Sequence, residues 1–301
     1  MSFELDYLVS NAEAQPTPDE LRQKVIEFIP NVEVTDGGAR GALWHADYWN
    51  CETMVPFTIN CRKPNSSVIN FCARESGLSV IVPSPAPTFI AREVMPILAD
   101  FARKAGLWIY TSDGRLLEKS DGAQLQMFWT NMTKRVLNRM SSNGEALPYI
   151  FPLEQMDGMW KYHNARNQLI KRYDGRNIQV PRVSIIRNKL SRNQVFRATY
   201  WTELSPTVLP DVDALVINKP GKLIFGRFPA GEVEAVVANI STIWDIIEGN
   251  VKKAPRPFEH NIIEDTNSLR LPIFKRLMDG LQLKFKNFET LNPEEVIDMT
   301  I

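Results

Sequence analysis

With 301 residues, 44% of them hydrophobic, and 35 basic against 35 acidic side chains, the chain is long enough to bury a sizeable core and too apolar to stay disordered. No apolar run approaches the ~20 residues of a membrane span, and Met1 to Tyr7 carries acids where an export signal carries Lys or Arg. A cytoplasmic protein without membrane contact is therefore expected, its three cysteines reduced and mostly buried.

Residues 2 to 9 set Phe3, Leu5, Tyr7 and Val9 against Ser2, Glu4, Asp6 and Leu8, the period-two pattern of a half-buried strand. Thr17-Pro18-Asp19-Glu20 combines an N-cap, a proline at the first helical position and early acids, with Leu21, Val25, Phe28 and Ile29 at helical spacing behind it, so a helix is predicted over 17–29. After the glycine-rich turn 37–41, short β-branched and aromatic runs at 44–48, 54–60, 68–73 and 78–82 predict a meander of strands. A helix over 88–105 stopped by Gly106, a strand over 107–111 and a helix over 121–140 complete a first α+β domain of residues 1–118 and a bridging helix and linker of residues 119–156.

Residues 157–301 read as a second, strand-rich α+β domain. Gln168 to Tyr173 and Asn177 to Pro181 flank Asp174-Gly175 as a predicted hairpin, followed by strands at 183–186, 195–200, 214–218 and 222–228. A helix is predicted over 230–247 from the spacing of Val233, Val236, Val237, Ile240, Ile243, Trp244 and Ile247, and a short one over 271–281. The fold class is α+β in two domains, with mostly antiparallel sheets and helices packed on one face of each.

The zero net charge is unevenly distributed. Basic and acidic residues number 11 and 15 over 1–119, 11 and 5 over 120–190, and 13 and 15 over 191–301. The basic centre, residues 134–192, intersperses Lys and Arg with Trp160, Tyr162, His163 and Tyr173. A solvated face of long aliphatic stems is one reading of such a stretch. A partner-binding face is the other, because Trp, Tyr and Arg dominate interface hot spots; on that reading Trp160, Tyr162, His163, Arg166, Lys171, Arg172, Tyr173, Arg176 and Arg182 contact the partner. The electroneutral chain argues against a dedicated nucleic-acid binder.

Catalytic signatures are missing from the sequence. There is no Gly-x-Ser-x-Gly, no P-loop, no dinucleotide fingerprint and no Cys-x-x-Cys, and His45, His163 and His260 have no His or Cys at helical spacing. No catalytic residue, cofactor or metal is expected. An enzyme whose site lies near His45 or His260 is the alternative class, and it requires two titratable groups converging in a deep pocket. A nucleic-acid binder using the basic centre is the third.

The opening strand Met1-Ser2-Phe3-Glu4-Leu5-Asp6-Tyr7-Leu8-Val9, the helix begun at Pro18-Asp19-Glu20, and the helix of Ala91 to Ala105 running into Gly106-Leu107-Trp108-Ile109-Tyr110 and the Ser112-Asp113-Gly114 turn go together. On these, residues 1–118 resemble the N-terminal module of small bacterial proteins of type VI secretion and polymorphic-toxin loci, many of them immunity proteins. The chain departs from that pattern in its longer middle strands and in its cysteines. The resemblance implies a non-enzymatic protein that binds a cognate toxin, a type VI effector, and occludes its active site or substrate approach. It transfers no site residue to the second domain.

Overall fold

The computed structural model describes residues 2–38, 41–64, 68–70, 72–119, 121–220, 233–280 and 283–298. The chain divides into two compact units, Met1–Met156 with Pro293–Ile301, and Asp157–Asn292. Both are α+β, as the sequence predicts.

In the first unit β1 (Ser2–Ser10) buries Phe3, Leu5 and Tyr7 on one face and exposes Glu4 and Asp6 on the other. α1 (Pro18–Phe28) starts at the predicted N-cap, which forms a capping box: the Glu20 amide donates to Thr17 Oγ1 at 3.2 Å and the Thr17 amide donates to Glu20 Oε2 at 2.7 Å. There follow β2 (Val32–Asp36), β3 (Trp44–Asn50), β4 (Val55–Cys61), β5 (Val68–Asn70), β6 (Ala73–Pro83), α2 (Thr88–Ala105), β7 (Trp108–Thr111), β8 (Leu116–Leu117), α3 (Gly122–Ser142) and β9 (Tyr149–Ile150). One antiparallel sheet runs β2-β3-β4-β6-β1-β7-β8, with β5 pairing β6.

Helices cover one face of this sheet. The Tyr7 hydroxyl donates to the Leu98 carbonyl of α2 at 3.2 Å and its ring stands edge-on to Phe101 at 5.2 Å, while Trp129 of α3 donates its indole N–H to the Pro83 carbonyl at 2.9 Å. α3 touches α2 where it begins: a Cβ on Gly122 would lie 2.8 Å from Pro96 Cα, so only glycine admits the approach. α3, expected as a bridge, belongs to this unit.

α2 begins at Pro87, which has no side-chain donor or acceptor to cap it. Asp298 supplies the cap instead, Oδ1 accepting from the Thr88 amide at 2.9 Å and Oδ2 from the Thr88 hydroxyl at 2.7 Å. Asp298 is held there by β19 (Val296–Ile297), which pairs in parallel with β9.

The second unit contains most of α4 (Leu153–Tyr173), then β10 (Val183–Asn188), β11 (Ser191–Trp201), β12 (Thr207–Leu209), β13 (Ala214–Pro220), β14 (Val233–Asn239), α5 (Trp244–Ile247), β15 (Val251–Ala254), β16 (His260–Ile263), α6 (Asn267–Asp279), β17 (Leu283–Lys284) and β18 (Phe288–Thr290). A six-stranded sheet runs β17-β14-β13-β11-β10-β18, antiparallel except between β11 and β13, and β12-β16-β15 form a smaller antiparallel sheet. Ile186, Ala198, Ala214, Val216, Val237 and Phe288 make the core on one face of the larger sheet; Leu215 and Ile217, fully buried, point to the other face, where α6 meets β13.

Three expectations are corrected here. Residues 168–173 are the end of α4, not a strand, and Asp174-Gly175 ends a helix rather than closing a hairpin; Met156, Met159, His163, Leu169 and Tyr173 are buried at helical spacing, with Gly175 at φ 74° just beyond. Of the helix predicted over 230–247, residues 230–232 lie outside the described residues, and the rest is β14 followed by short helical turns. Val236 and Val237 sit in a ladder between β13 and β17, where β-branched side chains pack well. Of the three cysteines only Cys61 is buried; Cys51 and Cys72 are exposed. The strand expected over 222–228 lies outside the described residues.

Candidate functional site

α4 divides its side chains by face. On the inner face the Tyr162 hydroxyl donates to the Pro181 carbonyl at 2.6 Å, and His163 Nε2 accepts the Val183 amide at 3.1 Å. Tyr173 shares a 2.6 Å hydrogen bond with His260 Nε2, and Arg166 Nε donates to the Val180 carbonyl at 3.0 Å. These bonds dock the helix on the segment 180–183 and on β16. Tyr162, His163 and Tyr173 are buried, so the expectation that they contact a partner is corrected: their rings fill this unit's own interior. Trp160 and Arg166 are half-buried.

Along the same helix Lys161, Lys171 and Arg172 are exposed and have no acidic partner among the described residues. Lys171 and Arg172 occupy the last turn, where the carbonyl end of the helix favours cations. Just beyond, Arg176 pairs with Glu264, which also accepts Lys252 at 3.1 Å. The guanidinium groups of Arg172 and Arg176 lie 5.9 Å and 5.5 Å from the Tyr173 ring centre, within cation–π range. Arg182 is exposed ahead of β10.

The basic stretch of the sequence is thus not one surface. Lys134, Arg135 and Arg139 ride on α3 in the first unit, and Arg187 is tied to Glu289 of β18 through Nε at 2.8 Å. What is exposed together at the C-terminal end of α4 is Lys171, Arg172 and Arg176.

A cleft of about 340 Å³ opens in the second unit between α4, the end of β12 and the β15–β16 hairpin. Its walls include Met159, Tyr162, Val183, Leu209 and Phe258, and Lys161 and Asn261 are among the polar residues that line it. None of these walls was legible in the sequence, because their segments are brought together only by the folding of both sheets.

His260 borders the cleft, but both ring nitrogens are engaged. Nδ1 donates to the Phe258 carbonyl at 2.7 Å, which fixes Nε2 as the acceptor of the Tyr173 hydroxyl. In that arrangement the imidazole has no lone pair to offer a substrate proton. His45, on β3, faces away from the helices; its Nδ1 bonds the Gly37 carbonyl at 2.8 Å and its Nε2 lies 3.5 Å from Asp47, whose other oxygen accepts Thr58 Oγ1 at 2.7 Å. No group of three or more metal-ligating side chains converges among the described residues, and none of their helices is long and apolar enough to cross a membrane.

The buried charge in this unit is Arg197 of β11, its side chain 3% exposed, held by Asp213 at 2.8 Å and Asp211 at 3.0 Å. Burial alone would lower the pKa of this guanidinium, but hydrogen bonds to the two carboxylates outweigh it and raise the pKa above its ordinary value. It is a structural ion pair at the base of the β11–β13 crossover.

No family model, curated protein or solved structure matches the chain.

Proposed function

We propose that this protein is a non-enzymatic immunity protein that acts in the cytoplasm, where it binds a toxin through the cationic end of α4 and blocks the toxin's active site or substrate approach. The observation that carries the reading is that Lys171 and Arg172 are exposed without acidic partners among the described residues, on a helix whose inner face is locked by the bonds of Tyr162, His163, Arg166 and Tyr173. Cations on a rigid element bind an acidic surface with little loss of side-chain and loop freedom, and charge complementarity speeds encounter. Tyr162, His163 and Tyr173 serve as positioning groups, and Lys171, Arg172, Arg176 and Arg182 as the contacts. The partner class comes from the resemblance of residues 1–118 to immunity modules.

The test is co-expression with the product of the neighbouring reading frame. Growth arrest by that product, relieved by this chain and no longer relieved by Lys171→Glu/Arg172→Glu, supports the reading; binding should weaken about tenfold or more. A harmless neighbour, or relief that survives both charge reversals, defeats it.

A further inference from the structure

The cleft of the second unit has a chemical bias of its own. Its apolar body is contributed by Met159 and Tyr162 of α4, Leu209 of β12 and Phe258 of the β15–β16 hairpin. Of the charges that line it, Lys253 is committed to Glu259 at 2.9 Å and Asp211 to Arg197 at 3.0 Å. Lys161 has no acidic partner among the described residues, and no hydrogen bond there engages the Asn261 carboxamide. The uncommitted groups that line this largely apolar recess are therefore one cation and one amide.

That combination selects among ligands. An uncharged apolar molecule would cover the Lys161 ammonium and leave it without an anion. A ligand with several negative charges would meet Asp211 and Glu259 in the same cleft. The volume, about 340 Å³, lies at the small end of the ~300–1,000 Å³ usual for ligand pockets and suits a body of one or two rings. We propose that this cleft binds a small organic acid, one carboxylate on an apolar ring-sized body, with the carboxylate at Lys161 and Asn261 and the body among Met159, Leu209 and Phe258. The inference does not rest on the immunity reading, since it uses neither Lys171 nor Arg172.

Calorimetric titration of the full chain with 2-naphthoate and with its uncharged counterpart 2-naphthamide tests it. The acid should bind saturably at one site, about twofold to fivefold more tightly than the amide, the range expected for one exposed ion pair. Lys161→Met keeps the aliphatic stem and helix propensity, so the chain folds; it should erase the preference for the acid. Lys171→Met, at a cation outside the cleft, should leave both affinities unchanged. Equal binding of acid and amide by the unmodified chain, no saturable binding of the acid, or equal loss on Lys161→Met and Lys171→Met would overturn the proposal. The last outcome would reveal only diffuse attraction to a cationic surface.

Discussion

Removing the carboxylate of Asp213 should destabilise the second unit far more than removing that of Asp211, although both hold Arg197. Asp213 accepts the Arg197 main-chain amide at 2.9 Å and its side chain at 2.8 Å and 3.2 Å, and is itself 31% exposed; Asp211 makes one bond at 3.0 Å and is 83% exposed. Asp213→Ala leaves a guanidinium 3% exposed with a single weak partner, the situation in which a broken buried pair costs about 3–5 kcal/mol. Asp211→Ala removes a solvated partner and should cost at most about 1 kcal/mol. In scanning calorimetry the first substitution should lower the second unit's melting transition by roughly 6–20 °C and the second by no more than about 4 °C. Equal shifts, or a loss under about 1 kcal/mol for Asp213→Ala, would refute the assignment of Arg197 as a buried ion whose charge Asp213 compensates.

Two further outcomes follow from groups in the first unit. Burial, and secondarily the charge of Asp19, pushes the Cys61 thiol up to about 11, so a thiol reagent at pH 8 should modify Cys51 and Cys72 in the native protein and Cys61 only after denaturation; three rapid equivalents would contradict the packing of β4. Although Asp6 lies on the exposed face of β1, partial desolvation against the sheet raises its carboxyl, with the charges of Glu75 and Glu4 adding to it, so proton binding favours the folded state and the ionised form costs stability above the raised folded pKa. Asp6→Asn should therefore stabilise at neutral pH by less than about 1 kcal/mol, the gain fading as pH falls through the folded pKa and gone below the unfolded one. Chemical denaturation at pH 7 and pH 3.5 distinguishes this from a gain independent of pH, which would refute it.

The elements legible in the sequence are those fixed by local physics. Thr17 with Glu20, Asp121 and Gly106 mark helix ends because a cap is a matter of a few neighbouring residues, and each stands at the end the structure gives. The valines at 233, 236 and 237 satisfy helical spacing, while the partners that make residues 233–239 a strand are β13 and β17. In residues 168–173 the turn signal of Asp174-Gly175 outweighed a buried stripe that was present in the sequence from Met156 onward. The same difference governs the site. The local excess of Lys and Arg was visible, but which rings turn inward depends on the phase of α4, and Tyr173 finds His260 87 positions away.

The pairing of β19 with β9, and the seat of Asp298 on Thr88, make the second unit an insertion: both of its ends run into the first. During synthesis the unit begun ahead of the insert is therefore finished after it, since α2 receives its cap only once every residue of the insert has been translated. A nascent chain halted before residue 293 would present an α2 with a bare amino end, and deletion of residues 296–298 would injure the unit built mainly from residues 1–156.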